Sequence, residues 1–583
     1  AAYAGGWTAP EAERAQVRVA ELRFGSSSVW ERKGDSPESE APVDDLGPND
    51  QKRLVASVRS AADEAGIPAP RRPWLNDLPS TVDLRDVMGE DPSRIPLGIA
   101  DTPDRQLQDA AHFHPDIDGH LLVYGAGGSG KSTTLRTIAI AAGACPGDGP
   151  VAVYGLDFGT GALRSIEALP HVGSIVAGDD PERVQRLLRE LRNKLDDRGE
   201  RFSSANASTL LEYRRLADSP DEPRIVLLVD GFGVFRQEWE GNPARSSSYA
   251  AFTRVLTEGR QLGVHVVATA DRYGAVPAAV SANVSKRIVL RMADEASYAM
   301  LGVARDVLSE LSVPGRAIVD GLETQIAVIG ATANTAEQNA ATVALAAELR
   351  ACGVSEVVSV GSLPVALDPT SLPDVVDFGP VLGIADDTLA PCSFEPSGTF
   401  VIAGPPQSGK TTAMRAVVVA LERSGVAASF LHIGGRRAVL RSWRPWARSA
   451  STIEDVRSLA SDVRDIVADE PVGGRIVVVV ENLTDFTDTA AERSLKELLQ
   501  AVNRSDHFLV ADGDVSQLSS SFGLVGEVKA SRHGLALRPD THDGESLFRV
   551  PFARIQRHES PPGRGFFVEN GRAVTVQVPL VLP

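Results

Sequence analysis

Leu121-Leu122-Val123-Tyr124-Gly125-Ala126-Gly127-Gly128-Ser129-Gly130-Lys131-Ser132-Thr133 is the stretch around which the chain can be read. A short apolar run enters a glycine-rich turn, and the turn opens into a helical pattern over residues 135–142. Gly125, Gly130, Lys131 and Ser132 complete G-x-x-x-x-G-K-[ST], a phosphate-binding loop. Glycines at these places let successive backbone N–H groups converge on an anion at a helix N-terminus, where the helix dipole adds attraction. The cradle comprises Gly125, Gly127, Gly128, Ser129, Gly130, Lys131, Ser132 and Thr133. Lys131 is placed to reach the β- and γ-phosphates and the Ser132 hydroxyl to ligate Mg²⁺, so ATP and Mg²⁺ are the expected cofactors.

Working outward, the whole pattern recurs. Leu97-Gly98-Ile99-Ala100-Asp101 precedes the first loop, and Leu382-Gly383-Ile384-Ala385-Asp386 precedes a second, Gly404-Pro405-Pro406-Gln407-Ser408-Gly409-Lys410-Thr411-Thr412. In that loop Gly404, Gln407, Ser408, Gly409, Lys410, Thr411 and Thr412 are the expected cradle. Arg224-Ile-Val-Leu-Leu-Val and Arg475-Ile-Val-Val-Val-Val read as strands buried on both faces, by their continuous β-branched and apolar character. Pro314-Gly315-Arg316 is answered by Pro562-Gly563-Arg564. The expected fold class is therefore α/β, two tandem domains with a mostly parallel sheet flanked by helices. Residues 81–355 are assigned to copy one and 356–583 to copy two. Residues 1–80 are assigned to the tail and linker of a missing upstream copy, because 51–65 and 78–84 parallel 339–351 and 363–368; a native N-terminal extension is the alternative.

Composition sets the outer limits. The 583 residues are 43% hydrophobic and 23% charged, an ordinary globular balance. No apolar run reaches the ~20 residues that cross a bilayer. Cys145, Cys352 and Cys392 lie far apart, and no Cys/His group has metal-ligand spacing, so reduced thiols are expected. The 59 basic and 77 acidic residues give a net charge of −18, which repels nucleic acid over most of the surface.

With the Trp74-Leu75 pair, the Gly-Val-His-Val-Val-Ala-Thr strand ending at Thr269, the Pro-Gly-Arg loops and the tandem arrangement, the chain resembles the EccC family. These are the FtsK/SpoIIIE-type ATPases of type VII (ESX) secretion. The resemblance covers nearly the whole chain and matches the family's second and third ATPase domains. It implies RecA-like P-loop folds of the additional-strand class, in a cytoplasmic motor segment. Attachment to the inner face of the membrane would run through a missing N-terminal region. The implied partners are WxG-type secretion substrates carrying a C-terminal signal Y-x-x-x-[DE], an upstream ATPase domain and a membrane-embedded secretion complex. The full assembly leaves room for a hexamer.

The departures from a competent hydrolase are informative. In the additional-strand class an Asp for Mg²⁺ ends the acidic strand and a water-activating Glu follows. Copy one has Asp230 then Gly231, and copy two has Glu481 then Asn482. The expected metal sets are Ser132 with Asp230, and Thr411 with Glu481. General-base catalysis is typically worth ~10²–10⁴-fold, so weak or no hydrolysis is expected at either site. Glu238 lies too far along to replace the missing base. Thr269 stands where the class places a γ-phosphate sensor, with Ala511 as its expected counterpart. Arg186 matches an arginine finger and Arg457 its counterpart, each with a solvated helix-face arginine as the alternative. Arg457, Trp443 and Trp446 form the expected substrate-peptide dock, although the Trp443–Trp446 segment by itself is read slightly in favour of a packed loop with solvated arginines. Three functions remain open: a substrate-binding, ATP-stabilised part of a secretion motor, an FtsK-like DNA translocase, and an autonomous ATPase with its base outside the acidic motif.

Overall fold

In the computed structural model of the chain, residues 50–67, 75–89, 94–144, 149–243, 245–304, 307–468, 474–518, 522–552 and 560–582 are described. The chain divides into units Ala1–Asn76 and Asp77–Pro583. Most of the expected upstream tail, residues 1–49 and 68–74 with Trp74, lies outside the described residues. Within the first unit the helix Asp50–Glu64 follows the expected run, and none of its residues is buried.

The second unit contains two sheets. The first is built from β1 (Ile95–Thr102), β2 (Leu107–Phe113), β3 (Leu121–Tyr124), β4 (Val151–Asp157), β5 (Val172–Ala177), β6 (Arg224–Asp230), β7 (Val264–Ala270), β8 (Lys286–Leu290), β9 (Arg316–Val319) and β10 (Leu322–Ile326). Its order is β2-β1-β10-β9-β8-β3-β7-β6-β4-β5. The second comprises β11 (Val375–Val376), β12 (Gly379–Ala385), β13 (Pro391–Ser393), β14 (Gly398–Ala403), β15 (Ala427–Gly434), β16 (Arg448–Ala450), β17 (Arg475–Glu481), β18 (Phe508–Gly513), β19 (Gly534–Leu537), β20 (Arg564–Glu569) and β21 (Arg572–Gln577). It runs β11-β12-β21-β20-β19-β14-β18-β17-β15-β16, with β13 paired to β12. From β12 to β16 this repeats the path from β1 to β5. In sheet one the strands from β8 to β5 along this order run parallel, and those from β2 to β8 pair antiparallel; sheet two does the same about β19.

One strand stands between the loop-bearing strand and the acidic strand in each copy: β7 between β3 and β6, β18 between β14 and β17. This is the additional-strand arrangement that the sequence implied. Every residue of β6 is buried, as the continuous apolar run requires of a strand covered on both faces. Helices Lys131–Ala144 and Pro181–Ser204 pack on opposite faces of sheet one, each in its own apolar cluster. The second starts cleanly because the Asp180 side chain accepts the Arg183 N–H at 3.1 Å and Pro181 sits in the first turn, where its missing N–H costs nothing.

The chain between the sheets lies along copy one. Val357 N–H donates to the Pro170 carbonyl at 2.8 Å, Val360 N–H to Ser174 Oγ at 2.9 Å, and the Tyr154 hydroxyl to the Val358 carbonyl at 3.1 Å. This segment covers the β5 side of sheet one before entering copy two.

Candidate functional site

Both phosphate loops hold the same conformation. Lys131 Nζ donates to the carbonyls of Gly125 (2.8 Å) and Ala126 (2.9 Å), and Lys410 Nζ to those of Gly404 (3.0 Å) and Pro405 (3.1 Å). Gly130 has φ +111°, and a Cβ there would meet the Gly315 nitrogen at 2.9 Å. The Pro314-Gly315-Arg316 loop thus closes directly on the phosphate loop, with Gly315 N–H donating to the Ser129 carbonyl at 2.9 Å. Among the described residues the buried Ser129 and Ser408 hydroxyls have no hydrogen-bond partner. A glycine-lined turn at a helix N-terminus with orphaned polar groups fits a nucleotide phosphate in both copies.

In copy one the two residues expected to hold the metal, Ser132 and Asp230, are hydrogen-bonded to each other. Ser132 Oγ donates to Asp230 Oδ2 at 2.6 Å, and Thr269 Oγ1 donates to Asp230 Oδ1 at 2.6 Å while accepting the Gly231 N–H at 2.8 Å. Asp157, at the end of β4 beside Asp230, accepts N–H groups from Gly159, Gly161 and Leu163 and so caps the turn that follows. A cleft of about 540 Å³ opens alongside, lined by Asp157, Arg164, Asp179 and Glu238 among others. Glu238 lies 3.6 Å from Arg245, and among the described residues no hydrogen bond joins it to the phosphate loop.

Copy two departs from expectation at Glu481. Its carboxylate accepts the N–H groups of Val439 (2.8 Å) and Leu440 (3.0 Å), and His432 Nε2 lies 3.5 Å away. Burial would raise its pKa, but the contacts with His432, Leu440 and Val439 outweigh burial and hold it below the ordinary value. Among the described residues no hydrogen bond joins Thr411 to Glu481, whose two oxygens are taken up by the Val439 and Leu440 amides instead. The cause is local: β15 ends in Gly434 where β4 ends in Asp157, and the extra methylene of glutamate lets Glu481 cap the vacant turn.

The counterpart of Thr269 is also corrected. Thr269 pairs with Val123 and Asp512 with Ile402, each two residues before its loop's first glycine, so the equivalent is Asp512 rather than Ala511. Asp512 Oδ1 accepts the Asn482 N–H at 2.7 Å, as Thr269 accepts that of Gly231. Burial pushes the Asp512 carboxyl up to about 6. The sequence signal was the shared Val-Ala-x-x-Asp frame of 267–271 and 510–514.

Arg186 does extend from copy one to copy two, but not to a phosphate loop. Its guanidinium is buried and pairs with Asp386, the last residue of the Leu-Gly-Ile-Ala-Asp motif, and with the Gly361 carbonyl. Arg189 adds a contact to Asp386 at 3.3 Å. Arg457 is not its structural partner. Thr452 Oγ1 caps Asp455 as Asp180 caps Arg183, which aligns Arg186 with Ser458. The Arg457 side chain is 53% exposed and pairs with Glu454 on its own helix.

The substrate dock of Arg457 with Trp443 and Trp446 is not brought together. Trp446 stacks on His432 at 5.1 Å, and Trp443 lies under Arg415 at 5.6 Å. Both tryptophans pack with helix Lys410–Arg423 on one face of sheet two. Helix Ile453–Ala468, which carries Arg457, covers the opposite face. The packed-loop alternative describes the tryptophans.

Two additional-strand P-loop folds stand in tandem, and in the first of them Ser132, Asp230 and Thr269 are joined by hydrogen bonds beside the phosphate loop. Residues 93–330 match the model of the FtsK/SpoIIIE family. The chain is 22% identical over 93% of its length to the ESX secretion system protein YukB of Bacillus subtilis, of which it covers 38%. Its fold matches EssC (ATPases 2 and 3) from Geobacillus thermodenitrificans with a TM-score of 0.67, at 20% identity, over 88% of this chain and 100% of that one. It also matches Thermomonospora curvata EccC (ATPases 2 and 3), solved in complex with a signal sequence peptide. There the TM-score is 0.62 at 22% identity, over 84% of this chain and 93% of that one. The chain thus carries an FtsK/SpoIIIE domain and is a homologue of the EccC, EssC and YukB proteins of ESX secretion. Among the described residues no helix is long and apolar enough to cross a membrane.

Proposed function

We propose that this chain is the nucleotide-binding portion of a type VII secretion motor, in which ATP with Mg²⁺ is held for structure or regulation rather than turned over. The observation that carries this reading is the coexistence of two complete phosphate cradles with acidic strands that lack a following glutamate, at Gly231 and Asn482. In copy one, Lys131 and Ser132 would hold the phosphates and metal with Asp230, and Thr269 would keep Asp230 in place. A bound Mg²⁺ would offset phosphate charge there. Residues 81–355 and 356–583 act as the two nucleotide-binding domains, on the cytoplasmic side of the membrane. They work beside an upstream ATPase domain and a membrane-embedded complex.

The same reading assigns a WxG-type substrate to copy two through its C-terminal signal peptide. The β5 edge of copy one is covered by residues 357–360. Among the described residues, none is seen to cover the matching β16 edge, where Arg448, Ile453 and Arg457 are exposed. A peptide with an aromatic residue and a carboxylate one helical turn apart presents both on one face, suited to an apolar surface beside an arginine.

The test has two parts. Denatured protein should release ATP, and ADP alone would show that hydrolysis proceeds. A labelled Y-x-x-x-[DE] peptide titrated by fluorescence anisotropy should bind the intact chain and bind Arg457→Ala more weakly. Equal affinities would remove Arg457 from the site. Duplex DNA in the same assay should not bind; tight binding would favour a translocase.

A further inference from the structure

Copy two has not simply lost its metal carboxylate. Glu481, at the usual place, spends both oxygens on the Val439 and Leu440 amides, because Gly434 cannot cap the turn that Asp157 caps in copy one. A different carboxylate ends the neighbouring strand. Asp512 ends β18 at the place of Thr269 and is only 3% exposed. Asn482 N–H fixes its Oδ1 at 2.7 Å, and among the described residues no hydrogen bond engages Oδ2. The charges of Lys410 and Glu481 both reach it. Asp512 therefore ends the strand beside Ile402, two residues before the first glycine of the phosphate loop, on the side where the terminal phosphates of a nucleotide would lie. A carboxylate beside a polyphosphate is repelled unless a cation lies between them.

We propose that Asp512, and not Glu481, is the carboxylate through which copy two faces the Mg²⁺ of a bound Mg–nucleotide, with the Thr411 hydroxyl as its companion. This inference rests on the nucleotide-binding reading of copy two. The two copies then hold the same ligand with different carboxylate geometry. Copy one uses an acid on the acidic strand braced by a threonine; copy two uses an acid on the additional strand, and its acidic-strand residue braces a turn.

The experiment uses the full chain with Lys131→Ala, which silences copy one, and a fluorescent ATP analogue with and without Mg²⁺. Mg²⁺ should tighten binding, and Asp512→Asn should reduce that tightening about ten- to hundredfold. Glu481→Gln should lower the melting temperature yet keep the Mg²⁺ effect. Mn²⁺ electron paramagnetic resonance of the nucleotide complex gives a second readout, and its spectrum should change with Asp512→Asn alone. If Asp512→Asn binds with an unaltered Mg²⁺ effect, or Glu481→Gln abolishes the effect, the assignment to Asp512 is overturned. If the Lys131→Ala chain binds no nucleotide while the parent does, the nucleotide reading of copy two is itself wrong.

Discussion

Arg564, in the closing loop of copy two, donates a 2.6 Å hydrogen bond to Glu182 on the first turn of a copy-one helix. The same guanidinium holds Gln577 Oε1 at 2.8 Å and the carbonyls of Leu363 (3.3 Å) and Pro364 (3.1 Å). Arg316 repeats this in copy one, holding Gln325 Oε1 (3.0 Å) and the Leu78 (2.9 Å) and Pro79 (3.2 Å) carbonyls. In both copies the arginine of the Pro-Gly-Arg loop clamps the incoming linker; in copy one Gly315 also closes on the phosphate loop, whereas a Cβ at Gly409 would meet nothing within 4 Å.

The two partners should behave unequally when removed. Arg564 is buried, so Arg564→Ala leaves several acceptors unpaired and should cost about 2–3 kcal/mol. The Glu182 side chain is 36% exposed, so Glu182→Ala should cost under about 1 kcal/mol. Denaturant unfolding checks both values. Equal small effects would mean that the linker is held by something other than the arginine.

Nucleotide should stabilise each copy separately. Ligand at ~100 times its dissociation constant adds about 2.7 kcal/mol to the folded state. Lys131→Ala and Lys410→Ala should each remove one equivalent of extracted nucleotide and lower the melting of their own copy. A variant that loses nucleotide but melts unchanged would exclude a structural role for the ligand.

Restoring the missing glutamate should not restore hydrolysis. Gly231 has φ +79° and Asn482 φ +51°, so both copies hold the position after the acidic strand in the left-handed region. A Cβ at Gly231 would also meet the Phe158 carbonyl group at 3.1 Å. Gly231→Glu should destabilise copy one by about 1–2 kcal/mol. It should leave phosphate release well short of the ~10²–10⁴-fold that a placed general base provides. A full gain in rate with unchanged melting would show that the backbone is not the obstacle.

What the sequence revealed followed from covalent spacing. The loops at Gly125 and Gly404, the buried runs ending at Asp230 and Glu481, and the repeat itself depend on residues close in the chain, and the two strand orders match them. What it concealed depended on contacts between strands. Glu481 could be recognised as a displaced cap only once Gly434 was seen beside it. Trp446 could be separated from Arg457 only when each was assigned to a face of the sheet. The one-residue shifts, Ala511 for Asp512 and Arg457 for Ser458, arose because apolar strands and helix first turns offer several similar frames. Pairing partners and cap bonds select one.

Acid should weaken copy one through a buried histidine pair at the end of the sheet away from the loop. His120 Nδ1 accepts the Val266 N–H at 2.9 Å and its Nε2 lies 3.0 Å from the Leu256 carbonyl, while His265 Nδ1 lies 2.8 Å from the Gly119 carbonyl. Burial lowers the His120 pKa to about 4, helped by Arg260, and burial with the neighbouring His120 lowers His265 well below its ordinary value. The unfolded chain carries ordinary histidines of pKa ≈ 6.5. Between pH 6.5 and 4 the unfolded state therefore binds more protons than the folded one, so stability rises with pH and falls on acidification. For His120 alone, each unit of difference is worth about 1.4 kcal/mol, giving about 3 kcal/mol lost by pH 4. His120→Gln should be less stable at pH 7, because the Val266 amide loses its acceptor, yet lose less on going to pH 5. Melting curves of both proteins at the two pH values decide it. Parallel losses would place the acid sensitivity elsewhere.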